Sequence, residues 1–285
     1  MSSQAALEAR PNEQQLSPRN FNRLAEFIHG YSGIKMPPNK RTMLEGRLRR
    51  RMRATGIGNV NDYCRHLFED DGITAEAVHL IDAVTTNKTE FFREPAHFDF
   101  LASKGLAALA AAGRREIKVW SAACSTGAEP YTLAMVLDEF CAEHPRLDYS
   151  ILATDICTEV LDEALRGVFS EAMIAPVAME RRQRYLMRAK DRSRHQVRIT
   201  PALRSRLSFA RLNLMDEAYP VETDMDMVFC RNILIYFDKP TQTKVLTRLC
   251  DHLRPGGYLF LGHSESIVGI DLPVRQIANT VFQKR

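Results

Sequence analysis

Across 285 residues the chain has no Cys-x-x-Cys pair, no apolar run of membrane length, no Gly-x-Gly-x-x-Gly turn and one tryptophan. Its six cysteines (Cys64, Cys124, Cys141, Cys157, Cys230, Cys250) are scattered, most of them inside apolar segments. That pattern excludes a disulfide framework and a cysteine zinc site, and fits buried free thiols in a reducing cytoplasm. The longest nearly uncharged, small-apolar stretch, Gly105 to Gly113, is far short of the roughly 20 residues that a spanning helix needs. The first fifteen residues have no basic start followed by an apolar core, so no signal peptide is expected.

What is present is an ordinary globular composition, 45% hydrophobic and 26% charged, long enough for about two domains. The net charge of +4 is unevenly spread. Lys35 to Arg53 carries net +7 and Arg181 to Arg211 net +10, so the remaining residues together are net −13. One such run reads as a solvated helix face. Two runs on an acidic body favour an acidic partner.

Residues 17–84 read as a small all-helical domain. Ser17-Pro18 starts a helix with Phe21, Leu24, Phe27 and Ile28 on one face, and Gly30 and Gly33 close it. Lys40 to Ala54 is a second helix ending at Gly56, with Asn59–Phe68 and Ile73–Val84 as two more. Residues 85–285 change pattern. A helix over Pro95–Ala112 precedes strands at Glu116–Trp120, Tyr149–Thr154, Leu207–Leu212, Met225–Cys230, Tyr258–Leu261 and Thr280–Gln283. Helices at Glu129–Phe140, Thr158–Arg166 and Thr241–Leu253 separate several of them, which predicts an α/β fold with a parallel sheet covered on both faces. A basic insert at about 188–208, with alternating Val197-Arg-Ile199, predicts an antiparallel β-subdomain.

In such a fold the ligand lies beyond the carboxyl ends of the strands. The first turn there, Ser121-Ala-Ala-Cys-Ser-Thr-Gly-Ala-Glu-Pro-Tyr131, is rich in small residues, yet its single glycine does not make a dinucleotide fingerprint. Glu129 at the start of the following helix would repel a phosphate. Asp155 ends the next strand, where a carboxylate can take ribose hydroxyls or cap its own helix. A nucleoside cofactor without phosphates, S-adenosylmethionine, fits these residues.

Four blocks then carry a family resemblance: Thr85-Thr-Asn-Lys-Thr-Glu-Phe-Phe-Arg-Glu94, Ser121 to Tyr131, Phe229-Cys-Arg-Asn-Ile-Leu-Ile-Tyr-Phe237 and Gly262-His-Ser-Glu265. In order and from about Phe21 onward, the chain resembles the CheR family of chemotaxis receptor glutamate O-methyltransferases. The resemblance implies a Rossmann-like class I methyltransferase sheet with the helical domain before it and the β-subdomain inserted. It also implies S-adenosylmethionine as cofactor, S-adenosylhomocysteine as product, and no metal. Carried onto this sequence, it assigns cofactor contacts to Asn87, Thr89, Arg93, Glu129, Asp155, Asn213, Leu214, Arg231 and Asn232. Arg93 and Tyr236 are the expected holders of the substrate carboxylate. Arg47, Arg50 and Arg53, spaced by three on one broad helix face, are expected to dock the acidic methylation helix of a chemoreceptor.

A glutamate side chain is ionised at neutral pH, its pKa being near about 4.3, so the reaction implied needs no general base. Catalysis is then positioning and exclusion of water. A nucleic-acid methyltransferase would explain the basic runs through phosphate contacts, but would usually carry an Asn-Pro-Pro-Tyr-like loop where this chain has Cys230-Arg-Asn-Ile. The same chemistry on a receptor outside chemotaxis remains a second reading. A non-catalytic scaffold is disfavoured by suitable residues at every cofactor position. The expected protein is a cytoplasmic monomer that neither binds nucleic acid nor inserts into membranes.

Overall fold

The computed structural model describes residues 15–285, which fall into two compact units meeting at Thr86/Asn87. Among the described residues the first holds four α-helices: α1 (Pro18–Ser32), α2 (Arg41–Thr55), α3 (Val60–Phe68) and α4 (Ile73–Val84). Ser17 caps α1 by accepting the Asn20 N–H at 3.2 Å, and the helix passes through Gly30 to stop at Gly33. Phe21, Leu24, Ile28, Leu44, Leu48, Tyr63, Leu67, Leu80 and Ile81 are buried, so each helix turns one stripe inward.

The basic run on α2 is not one uniform surface. Arg47 donates to the carbonyls of Val84 and Thr85 and to Thr86 Oγ1, satisfying acceptors that the end of α4 leaves open. Arg51 forks onto both oxygens of Glu76 at 2.6 Å, and the buried Tyr63 hydroxyl donates to the same carboxylate at 3.0 Å. The Arg51 hydrogen bond, opposed by burial, lowers the Glu76 pKa from its ordinary 4.5. Arg50 and Arg53 stay exposed.

In the second unit α5 (Ala96–Phe100) continues through a wide turn over 101–105 into α6 (Leu106–Ala111). Next come β1 (Glu116–Ala122), α7 (Ala128–Glu143), β2 (Asp148–Asp155), α8 (Thr158–Arg166) and β3 (Val168–Ser170). They are followed by α9 (Met179–Tyr185), β4 (Leu186–Arg188), β5 (Gln196–Ile199), α10 (Pro201–Arg204) and β6 (Leu207–Arg211). The chain ends with β7 (Met225–Cys230), α11 (Lys239–His252), β8 (Leu253–Leu261), β9 (Val274–Ala278) and β10 (Val281–Lys284).

The main sheet has the order β6-β2-β1-β7-β8-β10-β9. Pairing is parallel from β6 to β8, and β10 runs antiparallel between β8 and β9. Chain order reverses between β1 and β7, which places the crevice for a ligand at their carboxyl ends. Alternate residues feed two cores. Val119, Met227 and Phe229 pack on one face, and Trp120, Val228 and Cys230 on the other. That double burial explains why β7 is buried along its whole length and, apart from Asp226, apolar.

The antiparallel subdomain is a three-stranded sheet of order β3-β5-β4, so its first strand stands at Val168, ahead of the expected insert over 188–208. A three-residue strand is too short to show alternation, and the charged α9 separates it from its partners. Much of the second basic run is paired within the chain, largely at its surface. Arg181 forks onto Glu139 at 2.9 and 2.8 Å, Arg184 pairs with Asp138 and Arg206 with Asp148. Arg182, Arg198 and Arg211 donate to backbone carbonyls. Among the described residues, no helix is long and apolar enough to cross a membrane.

Candidate active site

Four loops meet at the carboxyl ends of β1, β2, β7 and β8. The loop after β1 is bent by left-handed residues, Ala123 (φ +69°), Ser125 (φ +52°) and Gly127 (φ +94°). At Gly127 a Cβ would stand 3.0 Å from the Ala164 Cβ on α8, so both conformation and packing call for glycine. The N–H groups of Ala123 and Cys124 donate to the Thr154 carbonyl at 2.8 and 2.9 Å, tying this loop to the end of β2.

Asp155 takes the centre of that junction. One carboxylate oxygen accepts the Ser125 N–H at 2.8 Å, and the other accepts the Cys157 N–H at 2.9 Å ahead of α8. The side chain therefore turns the chain ahead of α8, whose N-cap residue is Cys157, and also shapes the β1 loop. Ser125 Oγ donates to the Asn87 carbonyl at 2.8 Å, and Asn87 Nδ2 reaches Cys157 Sγ at 3.5 Å. The Leu212 N–H donates to the Asp155 carbonyl at 3.0 Å, which brings Asn213 alongside. Asn87 and Thr89 line a cavity of about 350 Å³ together with Phe169, Ser170 and Met173.

A second cluster is built on Arg231, whose side chain is 2% exposed. Its guanidinium lies 3.0 Å from Glu94 Oε2 and 3.0 Å from Glu129 Oε2, and it also donates to the Arg93 carbonyl. The other Glu129 oxygen accepts the Ser121 hydroxyl at 2.7 Å. Asn232, held at φ +60°, donates from Nδ2 to Glu94 Oε1 at 3.1 Å, and the His263 N–H donates to the same oxygen at 3.1 Å. Burial alone would raise the Glu94 pKa. The Asn232 hydrogen bond, the Arg231 charge and the His263 N–H outweigh it and hold the value at about 2. Burial, reinforced by the nearby Arg231 charge, lowers the His97 pKa to about 4 and leaves the imidazole neutral at pH 7.

A third carboxylate, Glu265, is 5% exposed and joins the loops after β7 and β8. It accepts the N–H groups of Asn232 (2.9 Å), Leu234 (2.7 Å) and Gly262 (2.6 Å). Burial raises its pKa, and these backbone donors counter the rise.

The structure thus gathers Asn87, Glu129, Asp155, Asn213, Arg231 and Asn232 at one end of the sheet, with the Arg93 backbone joined to Arg231. Arg93 itself is half-buried and donates to the Lys88 carbonyl at 3.0 Å. Leu214 is 8% exposed and Tyr236 half-buried, and both pack on the core formed with Trp120 and Val228. Asn213 Oδ1 folds back on the Met215 N–H at 3.0 Å. Arg47, Arg50 and Arg53 belong to the helical unit, where Arg47 is committed to the end of α4. Sequence reasoning gave no role to Glu94 or Glu265. Their signal was a carboxylate closing a motif block beside buried apolar residues, a setting in which an ionised group needs partners.

A seven-stranded sheet of this order, with a small-residue loop and two carboxylates at its switch point, defines a Rossmann-like methyltransferase. Residues 87–282 match the family described as "CheR methyltransferase, SAM binding domain", and residues 19–85 match "CheR methyltransferase, all-alpha domain". The chain belongs to the CheR methyltransferase family. It is 37% identical over 255 residues to a chemotaxis protein methyltransferase of Borreliella burgdorferi, covering 87% of this chain and 88% of that one. To those of Klebsiella aerogenes and Salmonella typhimurium it is 37% identical (98% and 93% covered) and 39% identical (88% and 85% covered). It is an S-adenosylmethionine-dependent methyltransferase of chemotaxis.

Proposed function

We propose that this methyltransferase esterifies glutamate side chains on the acidic methylation helices of chemoreceptors. The observation that carries the reading is the anionic, phosphate-averse character of the strand ends. Glu94 and Glu129 share one buried arginine, Asp155 stands at the end of β2, and Glu129 occupies the first turn of α7 where a phosphate would otherwise bind. Such a donor set suits a cationic nucleoside cofactor, and the bent β1 loop with no Cβ at Gly127 gives it backbone to approach. S-adenosylmethionine supplies an electrophilic methyl group on a sulfonium.

Asp155 is assigned to the ribose hydroxyls, with Asn213 and Leu214 alongside the base. Glu129 takes the cationic amino end, while Asn87, Thr89, Arg231 and Asn232 set the walls. Arg93 and Tyr236 orient the incoming carboxylate. Its own negative charge makes it the nucleophile, so the protein's task is alignment and removal of water. Because Arg231 is neutralised by two carboxylates, it contributes little net charge to trap the nucleophile. On α2, Arg50 and Arg53 present the charge that meets an acidic receptor helix, and Arg47 anchors the helix that carries them.

The test is transfer of tritiated methyl from S-adenosylmethionine onto receptor-bearing membranes, followed by mild alkali. Volatile methanol released from the receptor band is the expected result, since an ester hydrolyses there. Label that resists alkali, or that stays on nucleic acid, overturns the proposal.

A further inference from the structure

Beyond the carboxyl end of β8, His97 and His263, which have no part in the reaction proposed above, converge on the Glu94 carboxylate that also pairs with Arg231. His97, on α5, is 1% exposed. Its Nε2 shares a hydrogen bond with Thr280 Oγ1 at 2.9 Å. Its Nδ1 is buried, has no hydrogen-bond partner among the described residues, and lies 3.5 Å from Glu94 Oε2. His263, on the loop after β8, is 41% exposed and brings its Nε2 to 4.0 Å from the same oxygen. The ligating atoms of Glu94, His97 and His263 all lie within 4.8 Å of one another.

We propose that Glu94, His97 and His263 form a binding site for one divalent transition-metal ion of the zinc class. Two imidazoles and a carboxylate are a ligand set that such ions take, with a water completing the tetrahedron. Bonds of about 2.0–2.1 Å at tetrahedral angles separate ligand atoms by about 3.3–3.4 Å. The His97–Glu94 separation already approaches that value, and His263, lying at the surface, has room to close the remainder. The supporting contacts are also those of a metal site. Thr280 holds the far nitrogen of His97, and Asn232 with the His263 N–H holds the other Glu94 oxygen. The buried Nδ1 without a hydrogen bond is the independent sign, because a buried polar nitrogen left unsatisfied is costly. An ion would take it in the tautomer that puts the proton on Nε2, toward Thr280 Oγ1.

Arg231 works against the ion, since its guanidinium sits 3.0 Å from the same Glu94 oxygen. Affinity is therefore below that of a structural zinc site, and the ion competes with Arg231 for Glu94.

The experiment is calorimetric titration of the full chain with zinc, repeated with cobalt while visible absorption is followed. One ion per chain is expected, with a cobalt spectrum of low coordination number and no thiolate charge-transfer band. His263→Ala should weaken binding at least tenfold. His263→Gln, with its melting temperature checked against the parent, separates ligand loss from misfolding. Absence of saturable binding, a thiolate band, or binding unchanged in a folded His263 variant overturns the proposal.

Discussion

Arg231 is the residue whose removal the site tolerates least. Its side chain is 2% exposed and neutralises Glu94 and Glu129, themselves 12% and 13% exposed. Arg231→Ala leaves two mostly buried carboxylates without their cation, which costs about 3–5 kcal/mol. Urea unfolding should show that loss, and an unchanged midpoint would contradict the clamp. Gly262 makes a second test at this scale. A Cβ there would stand 2.9 Å from the Asn232 backbone nitrogen and also press on the Asn232 side chain that holds Glu94. Gly262→Ala is expected to cost about 1–3 kcal/mol through overpacking, read in the same unfolding curves. The sequence showed Arg231 and Asn232 as a motif but not what they hold. Glu94 lies 137 residues from Arg231, and a pairing across that distance has no local signature. Glu129 and Asp155 stood out in the sequence because each lies at a strand–helix junction, the place where such a sheet leaves room for a ligand.

At the scale of elements, α2 separates two uses of arginine that spacing alone merged. Periodicity placed Arg47, Arg50 and Arg53 on one face, but Arg47 is held by the carbonyls at the end of α4, so the proposed docking rests on Arg50 and Arg53. Arg50→Glu with Arg53→Glu should lower the rate on an acidic receptor fragment by about tenfold at low salt, and less as salt rises. A rate and salt dependence matching the parent would contradict docking by this helix. Inside the same unit, Glu76 accepts from Arg51 and Tyr63, and its folded pKa is lowered below 4.5. Its stabilisation is therefore complete above pH 4.5 and is lost as pH falls through the lowered value. Glu76→Gln should melt earlier than the parent at neutral pH yet show a shallower fall in melting temperature below pH 4.5. An equal slope would show that Glu76 is not the proton-linked group. The helices α1 to α4 were legible from caps and apolar stripes. The short strands β3 and β4 were not, because three residues carry no period and only the sheet they join defines them.

The whole molecule resolves what its charge means. Two basic runs on an acidic body suggested two surfaces for an anionic partner. In the folded chain Arg181, Arg184 and Arg206 pair with acidic residues on α7 and β2, so much of the second run is internal neutralisation. The parallel sheet and its helical companion domain were readable because alternation of strand and helix survives in the sequence. The reversal of strand order at β1 and β7, which creates the crevice, is a long-range property that pattern alone does not encode. The central claim is that this crevice, organised by Asp155 and by the Arg231 cluster, is where the methyl donor sits. Calorimetric titration with S-adenosylhomocysteine tests it most directly, comparing the parent chain with Asp155→Ala after both are shown to be folded. The account predicts one site per parent chain and affinity weakened at least tenfold, by about 1.4 kcal/mol or more, in the variant. Equal affinity in the two folded proteins would contradict it.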